Sequence, residues 1–251
     1  MAENYSESKF DDYGIYVIDQ NKEFLFPNVE IKIEKISPNV FSYNRKDSEN
    51  NLVEKMIPTK EEQLILEFTP IRPVNYPARR TNYVYLDFET PVFLSEGSAA
   101  KIFVRCPIEI GVFLIHDERK DSLDWFTCDP FNSRFGLYGN PESGTLCKYA
   151  KSDIVESYDD SIPFFNAVME VNLKNNLDKG YLVSKIIFPI SDNSVYYDHS
   201  KAIIDSLDVV LRKKVILEII DVASKPIITD WKIAPTFEHI TSIKRMDMGL
   251  E

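Results

Sequence analysis

The strongest constraint on this chain is the two-residue rhythm of its apolar side chains. In "YVYLDF", Tyr83 and Tyr85 alternate with Val84, Leu86 and Phe88, and in "VMEVNL" Met169, Val171 and Leu173 oppose Glu170 and Asn172. "IEIGVFLI" sets Ile108, Ile110, Val112 and Leu114 on one side. "LVSKIIF" sets Val183 and Ile187 beside Lys185, with Leu182, Ile186 and Phe188 behind. Successive side chains of a strand point to opposite faces, so this rhythm specifies half-buried strands. "SEGS", "NPE", "NLDKG" and "SDNS" separate the runs with residues that favour turns. The expectation is an all-β fold, mainly antiparallel, built as a β-sandwich or two packed β-sandwich-like sub-domains with little helix.

Residues 1–11 read as a polar, disordered tail, and 12–251 as one continuous β-rich domain whose composition marks a division into two sub-domains near 117–122. "NRKDSENNLVEK", at 44–55, reads as a long loop. "KAIIDSLDVVLRKKVILEIID", at 201–221, has no Gly or Pro and fits a helix or a strand. Its density of stiff β-branched residues favours one long or bent strand. Thr59 and Glu62 have the spacing of a capping box, which suggests a short helix there.

The net charge of -11 argues against non-specific nucleic-acid binding, which needs Lys and Arg to neutralise phosphates. One local exception is "RPVNYPARR", where Arg72, Arg79 and Arg80 surround Tyr76; it reads first as a solvated loop and second as an anion or partner contact. No apolar run approaches the ~20 residues of a membrane span, and the N-terminus lacks the apolar core of a signal peptide. The 3 cysteines, Cys106, Cys128 and Cys147, form no Cys-x-x-Cys pair. That fits a reducing, cytoplasmic compartment and gives no sign of zinc.

Catalytic motifs are missing. Gly139 and Gly144 have the Gly-x-x-x-x-Gly spacing of a phosphate loop, but Thr145 and Leu146 follow where Lys is required, and "TLCKYAKSDIV" reads as a strand instead of a helix. A hairpin turn accounts better for "GNPESG". Cys147 is a candidate nucleophile only if a base such as His116 or His199 approaches it; otherwise it is a buried core residue. His116, Asp117, Glu118, Asp121 and Asp124 carry metal-binding atoms without a defined spacing, so a solvated acidic loop is the default and no metal or other cofactor is expected. In "VYYDHS", Asp198 and His199 can meet only in a turn, because neighbours on a strand face opposite ways. The candidate ligand contacts are Gly139, Gly144, Tyr149, Arg79 and Arg80.

"NYVYLDFETPVFL", "CPIEIGVFL" and "FGLYGNPESGTLCKYAKSDIV" occur in that order. Together they resemble an archaeal family known as domain of unknown function 432, over about Tyr13 to Leu250. Its members share an "EIGVF" strand, a glycine turn leading into a strand with Cys, a basic residue and Tyr, and an ending near "GL", here Gly249 and Leu250. The resemblance implies an archaeal, methanogen-like source and supplies no catalytic residues. The leading functional expectation is a non-catalytic cytoplasmic binding or protein-interaction module. Its partner would be a protein or a small molecule, and its edge strands would permit a homodimer. The alternative is a hydrolase or metal-dependent enzyme using the glycine hairpin, Cys147 and the histidines.

Overall fold

The computed structural model describes residues 10–73, 83–117, 119–129, 135–214 and 217–237. Within them the regular elements are strands and two short 3-10 turns, with no α-helix. The all-β, mainly antiparallel expectation holds.

Four sheets enclose two cores. The first core lies between the meander β2 (Lys22–Phe26), β3 (Val29–Ser37), β4 (Val40–Asp47), β5 (Leu52–Pro58) and a second antiparallel sheet ordered β1 (Gly14–Ile18), β6 (Leu64–Ile71), β9 (Glu109–His116), β10 (Arg119–Phe126). Phe24, Ile31, Phe41 and Tyr43 meet Leu66, Phe68, Ile110 and Val112 there. The second core lies between a sheet ordered β11 (Phe135–Tyr138), β12 (Thr145–Ser152), β7 (Tyr83–Leu94), β15 (Tyr181–Pro189) and a larger one. The larger sheet runs β13 (Ile154–Val155), β8 (Ala99–Pro107), β14 (Asn166–Asn175), β17 (Lys201–Lys214), β16 (Val195–Asp198), β19 (Lys232–Ile233), with β18 (Leu217–Lys225) also on β17. Two pairings are parallel, β12 with β7 and β14 with β17.

The chain passes between the cores more than once. Ile108, grouped in sequence with Ile110 and Val112, packs into the second core while they pack into the first. Asp117 and residues 119–122 belong to the β9–β10 hairpin, and both of its arms lie in the first sandwich. Residues 1–9 of the expected tail lie outside the described residues. Asp11 is held to β2, donating its N–H to Leu25 O (3.0 Å) and accepting from Leu25 N–H through Oδ2 (2.8 Å).

Four local expectations change. The long segment at 201–221 is strand, but as a hairpin: β17 and β18 pair antiparallel from Lys214↔Leu217 to Ser206↔Lys225. The stretch at 44–55 is also a hairpin, closed by Asp47. Its Oδ1 accepts from the N–H groups of Glu49 (3.0 Å) and Asn51 (2.8 Å), and its Oδ2 accepts from Asn51 Nδ2 (2.9 Å). Residues 59–63 are bends with no helix; Thr59 Oγ1 donates to Glu61 O instead of capping a helix. The alternation in β15 breaks at Ser184, opposite Phe88–Pro91 of β7, so Val183, Ile186 and Phe188 face the core and Leu182, Lys185 and Ile187 do not. Pro91 cannot donate to the ladder, which suits it to this irregularity.

A buried polar network ties the first sandwich together. Asp124 Oδ2 accepts from Tyr43 OH (2.8 Å) and Arg45 Nε (2.6 Å), and both members of the ion pair are about nine-tenths buried (11% and 8% side-chain exposure). Removing one partner of such a pair strands the other charge, which costs about 3–5 kcal/mol. Asp124→Ala should therefore destabilise the protein by about that much in urea unfolding; a change under about 1 kcal/mol would make the network dispensable.

For Asp47, burial works to raise the carboxyl pKa, but the bonds from Asn51 and Glu49 outweigh it and hold the net value below the ordinary range. The contribution is present above the unfolded-state pKa of about 4 and is lost as pH falls through the lower folded value. Asp47→Ala should cost about 1 kcal/mol at pH 7, and the gap between the two proteins should close on titration towards pH 2; an unchanging gap would refute the assignment.

Candidate functional site

The glycine hairpin needs its glycines for chain reversal. Gly139 has φ +101°, a region that side chains rarely adopt. Gly144 donates to Asn140 O (2.7 Å), and a Cβ there would lie 2.6 Å from Asn140 O and 2.7 Å from Tyr138 O. Asn140 Oδ1 completes the turn by accepting from Ser143 N–H and Oγ, both 2.8 Å. Two backbone N–H groups of the loop, those of Ser143 and Gly144, are thus engaged within the turn.

Past this turn, strand parity sorts the side chains into two sets. Val84, Leu86, Phe88 and Ala150 enter the second core. By register, Tyr83, Tyr85 and Asp87 of β7 share the other face with Cys147, Tyr149 and Lys151 of β12, and with Lys185 and Ile187 of β15. Gly136 and Tyr138 of β11 extend the same face. The rings pack edge to face, Tyr85 with Tyr149 at 5.4 Å and with Tyr138 at 6.3 Å between centroids. Tyr149 OH donates to Asp87 Oδ2 (2.7 Å). Lys185 stands opposite Asp87 in register, yet its Nζ lies over the Tyr85 ring at 5.7 Å, and it forms no ion pair among the described residues.

A groove of about 370 Å³ lies along β15, between this face and β18 of the larger sheet. Its lining takes Tyr83, Tyr138, Thr145 and Lys185 from this face, Tyr181, Val183 and Ile186 from the core side of β15, and Ile220 and Val222 from β18. A second groove, of about 350 Å³, contains Arg105 and Lys151. There Arg105 is already held by Asp153 (2.9 Å) and Asp160 O (3.2 Å).

The structure separates the residues that an enzyme reading would need together. Cys147 is fully buried, and its Sγ contacts Thr145 O at 3.4 Å. His116 lies at the end of β9 beside Asp121 (3.4 Å). His199, in the β16–β17 turn with φ +49°, lies 3.6 Å from Asp12 and 3.9 Å from Asp198, so the turn does bring Asp198 and His199 together. Asp117 pairs with Lys60, and Asp124 belongs to the buried network. Among the described residues no group of three or more His, Cys, Asp and Glu could hold a metal. Arg79, Arg80 and Glu118 lie outside the described residues, and Arg72 donates to Ile190 O at 3.2 Å.

Sequence reasoning missed Lys185, Tyr83, Tyr138, Tyr181 and Ser184. The outward parity of Tyr83 was visible in "YVYLDF", but the pairing of β7 with both β12 and β15 was not. Also missed was the buried pair of Lys148 Nζ and Glu109 Oε1 (3.3 Å), with Phe135 over the ammonium at 5.7 Å. Lys148 sits on the core face of β12, where the sequence shows an unexplained cation.

Fold and site together define an all-β protein with a groove lined by tyrosines of one sheet and by β18 of another. The chain belongs to the family described as Protein of unknown function (DUF432), whose model matches residues 12–245. No curated protein and no solved structure matches it. Among the described residues no helix is long and apolar enough to cross a membrane.

Burial raises all three thiol pKa values: upward for Cys147, up to about 12 for Cys106, and further for Cys128, where Asp129 adds to the effect. At pH 8 a thiol at about 12 holds roughly a thousandfold less thiolate than an ordinary one. Iodoacetamide should therefore label the native protein slowly and the urea-unfolded protein fast; prompt labelling of native Cys147 would contradict the burial.

Proposed function

We propose that this protein is a non-catalytic binding module whose ligand surface is the tyrosine face of the β11–β12–β7–β15 sheet. The supporting observation is the open groove lined by Tyr83 and Tyr138 of that face and by Tyr181 from the core side of β15. Tyrosine supplies rigid, amphipathic contact area at low entropic cost, and grooves of this volume suit small ligands. The enzyme reading draws no support from the geometry, because Cys147 is buried away from both histidine–aspartate pairs.

The net charge of -11 favours a partner other than nucleic acid. Three free, buried thiols suit the reducing cytoplasm. The β11 edge, with Phe135 and Leu137 both nearly half exposed, is the natural seat for a second copy if the protein dimerises.

A thermal-shift screen with metabolites and short peptides tests this reading. Ligands that raise Tm should lose the effect in Tyr138→Ala and keep it in Cys147→Ala, with circular dichroism checking both folds. Turnover of any substrate that disappears in Cys147→Ala would overturn the module reading.

A further inference from the structure

The chemistry of the groove is unevenly distributed, and that distribution selects a ligand class. Among the described residues of its lining, Lys185 is the one side chain charged at neutral pH. In a chain of net charge -11, a lysine lining a groove with no carboxylate partner among the described residues is a local anion site. Asp87, its register neighbour, accepts from Tyr149 OH, and the Lys185 ammonium rests over Tyr85. Tyr83, Tyr138, Tyr181, Thr145 and Ser184, whose hydroxyls can donate to an oxyanion, line the same groove. The other end is aliphatic: Leu182 and Ile220, at 56% and 44% exposure, stand with Val222, and Phe93, paired with Leu182 in register, is 67% exposed.

We infer that the groove binds a free amphipathic anion. A carboxylate or phosphate head lies at Lys185 among the hydroxyls, and an alkyl or acyl chain lies along Leu182, Ile220 and Val222. This rests on the module reading above and names its ligand class. A neutral amphiphile would forgo the lysine, and inorganic phosphate would forgo the aliphatic end. A nucleic acid would bring many charges to a single cation. The break in alternation at Ser184 shapes the site: Leu182 and Lys185 turn away from the core, Val183 and Ile186 stay in it, and all four line the groove.

The test is calorimetric titration of the full chain below the micellar concentration of each probe. The probes are decanoate, decyl phosphate, decyl glucoside, decyltrimethylammonium and inorganic phosphate. Decanoate or decyl phosphate should bind at least ~10-fold more tightly than the glucoside, since a charge-assisted hydrogen bond is roughly twice as strong as a neutral one. Lys185→Met should remove that preference while leaving the glucoside affinity unchanged. Leu182→Ser should weaken every decyl probe, with circular dichroism verifying both folds. Equal binding of glucoside and anions, or anion binding indifferent to Lys185→Met, would overturn the anion assignment and leave the groove reading standing. Binding to anionic lipid vesicles without binding of the monomeric probes would also overturn it. If no probe binds and the thermal-shift screen also finds no ligand sensitive to Tyr138→Ala, both readings fall.

Discussion

Everything on the candidate surface depends on the burial of Val84, Leu86 and Phe88 in β7. Once those three enter the second core, strand geometry turns Tyr83, Tyr85 and Asp87 the other way. A one-residue slip would expose the apolar set and bury the tyrosines with their hydroxyls, so the register is strongly specified. β7 also pairs with β12 on one side and β15 on the other, so its parity sets which residues of both neighbours join the face. The tyrosine surface is thus the reverse side of a core.

The two cores are linked by polar groups as well as by the chain. Lys148 and Glu109 pair at 3.3 Å with side chains 5% and 4% exposed, connecting β12 of one sandwich to β9 of the other. Tyr197 OH donates to Glu67 Oε1 at 3.3 Å, and burial followed by the Glu67 charge pushes the Tyr197 pKa upward. Buried pairs contribute little net stability once desolvation is counted, but an unmatched member is costly, so they penalise other arrangements more than they strengthen this one. Lys148 supports the hairpin that carries Tyr138 and Thr145 from its core side, while the tyrosine face lies on the opposite side.

How much was legible in advance varies with the range of the interaction. Alternation in "YVYLDF" and "VMEVNL" reports burial directly and was read correctly. The glycine turn was also legible, since positive φ and a missing lysine are local facts. The hairpin at 44–55 was missed because Asp47 closes it through its side chain, and polar composition alone looks the same in a loop. The phase of β15 was misread because Ser184 carries no local signal; the break comes from the partner strand, at Phe88–Pro91. Cys147 and Tyr149 were singled out together, and the structure keeps them on one face, with the thiol buried and the phenol bound to Asp87.

The sequence by itself determined the class of structure and the core-facing side of most strands, because side-chain alternation is a property of the strand alone. It also determined the absence of the familiar catalytic motifs. Only the tertiary structure decided which strands became neighbours, and so which tyrosines, hydroxyls and lysine came to share a groove. Strand pairing joins residues more than a hundred positions apart, such as Tyr83 and Pro189. Its energy comes from burying both partners at once, which no single segment of the chain encodes.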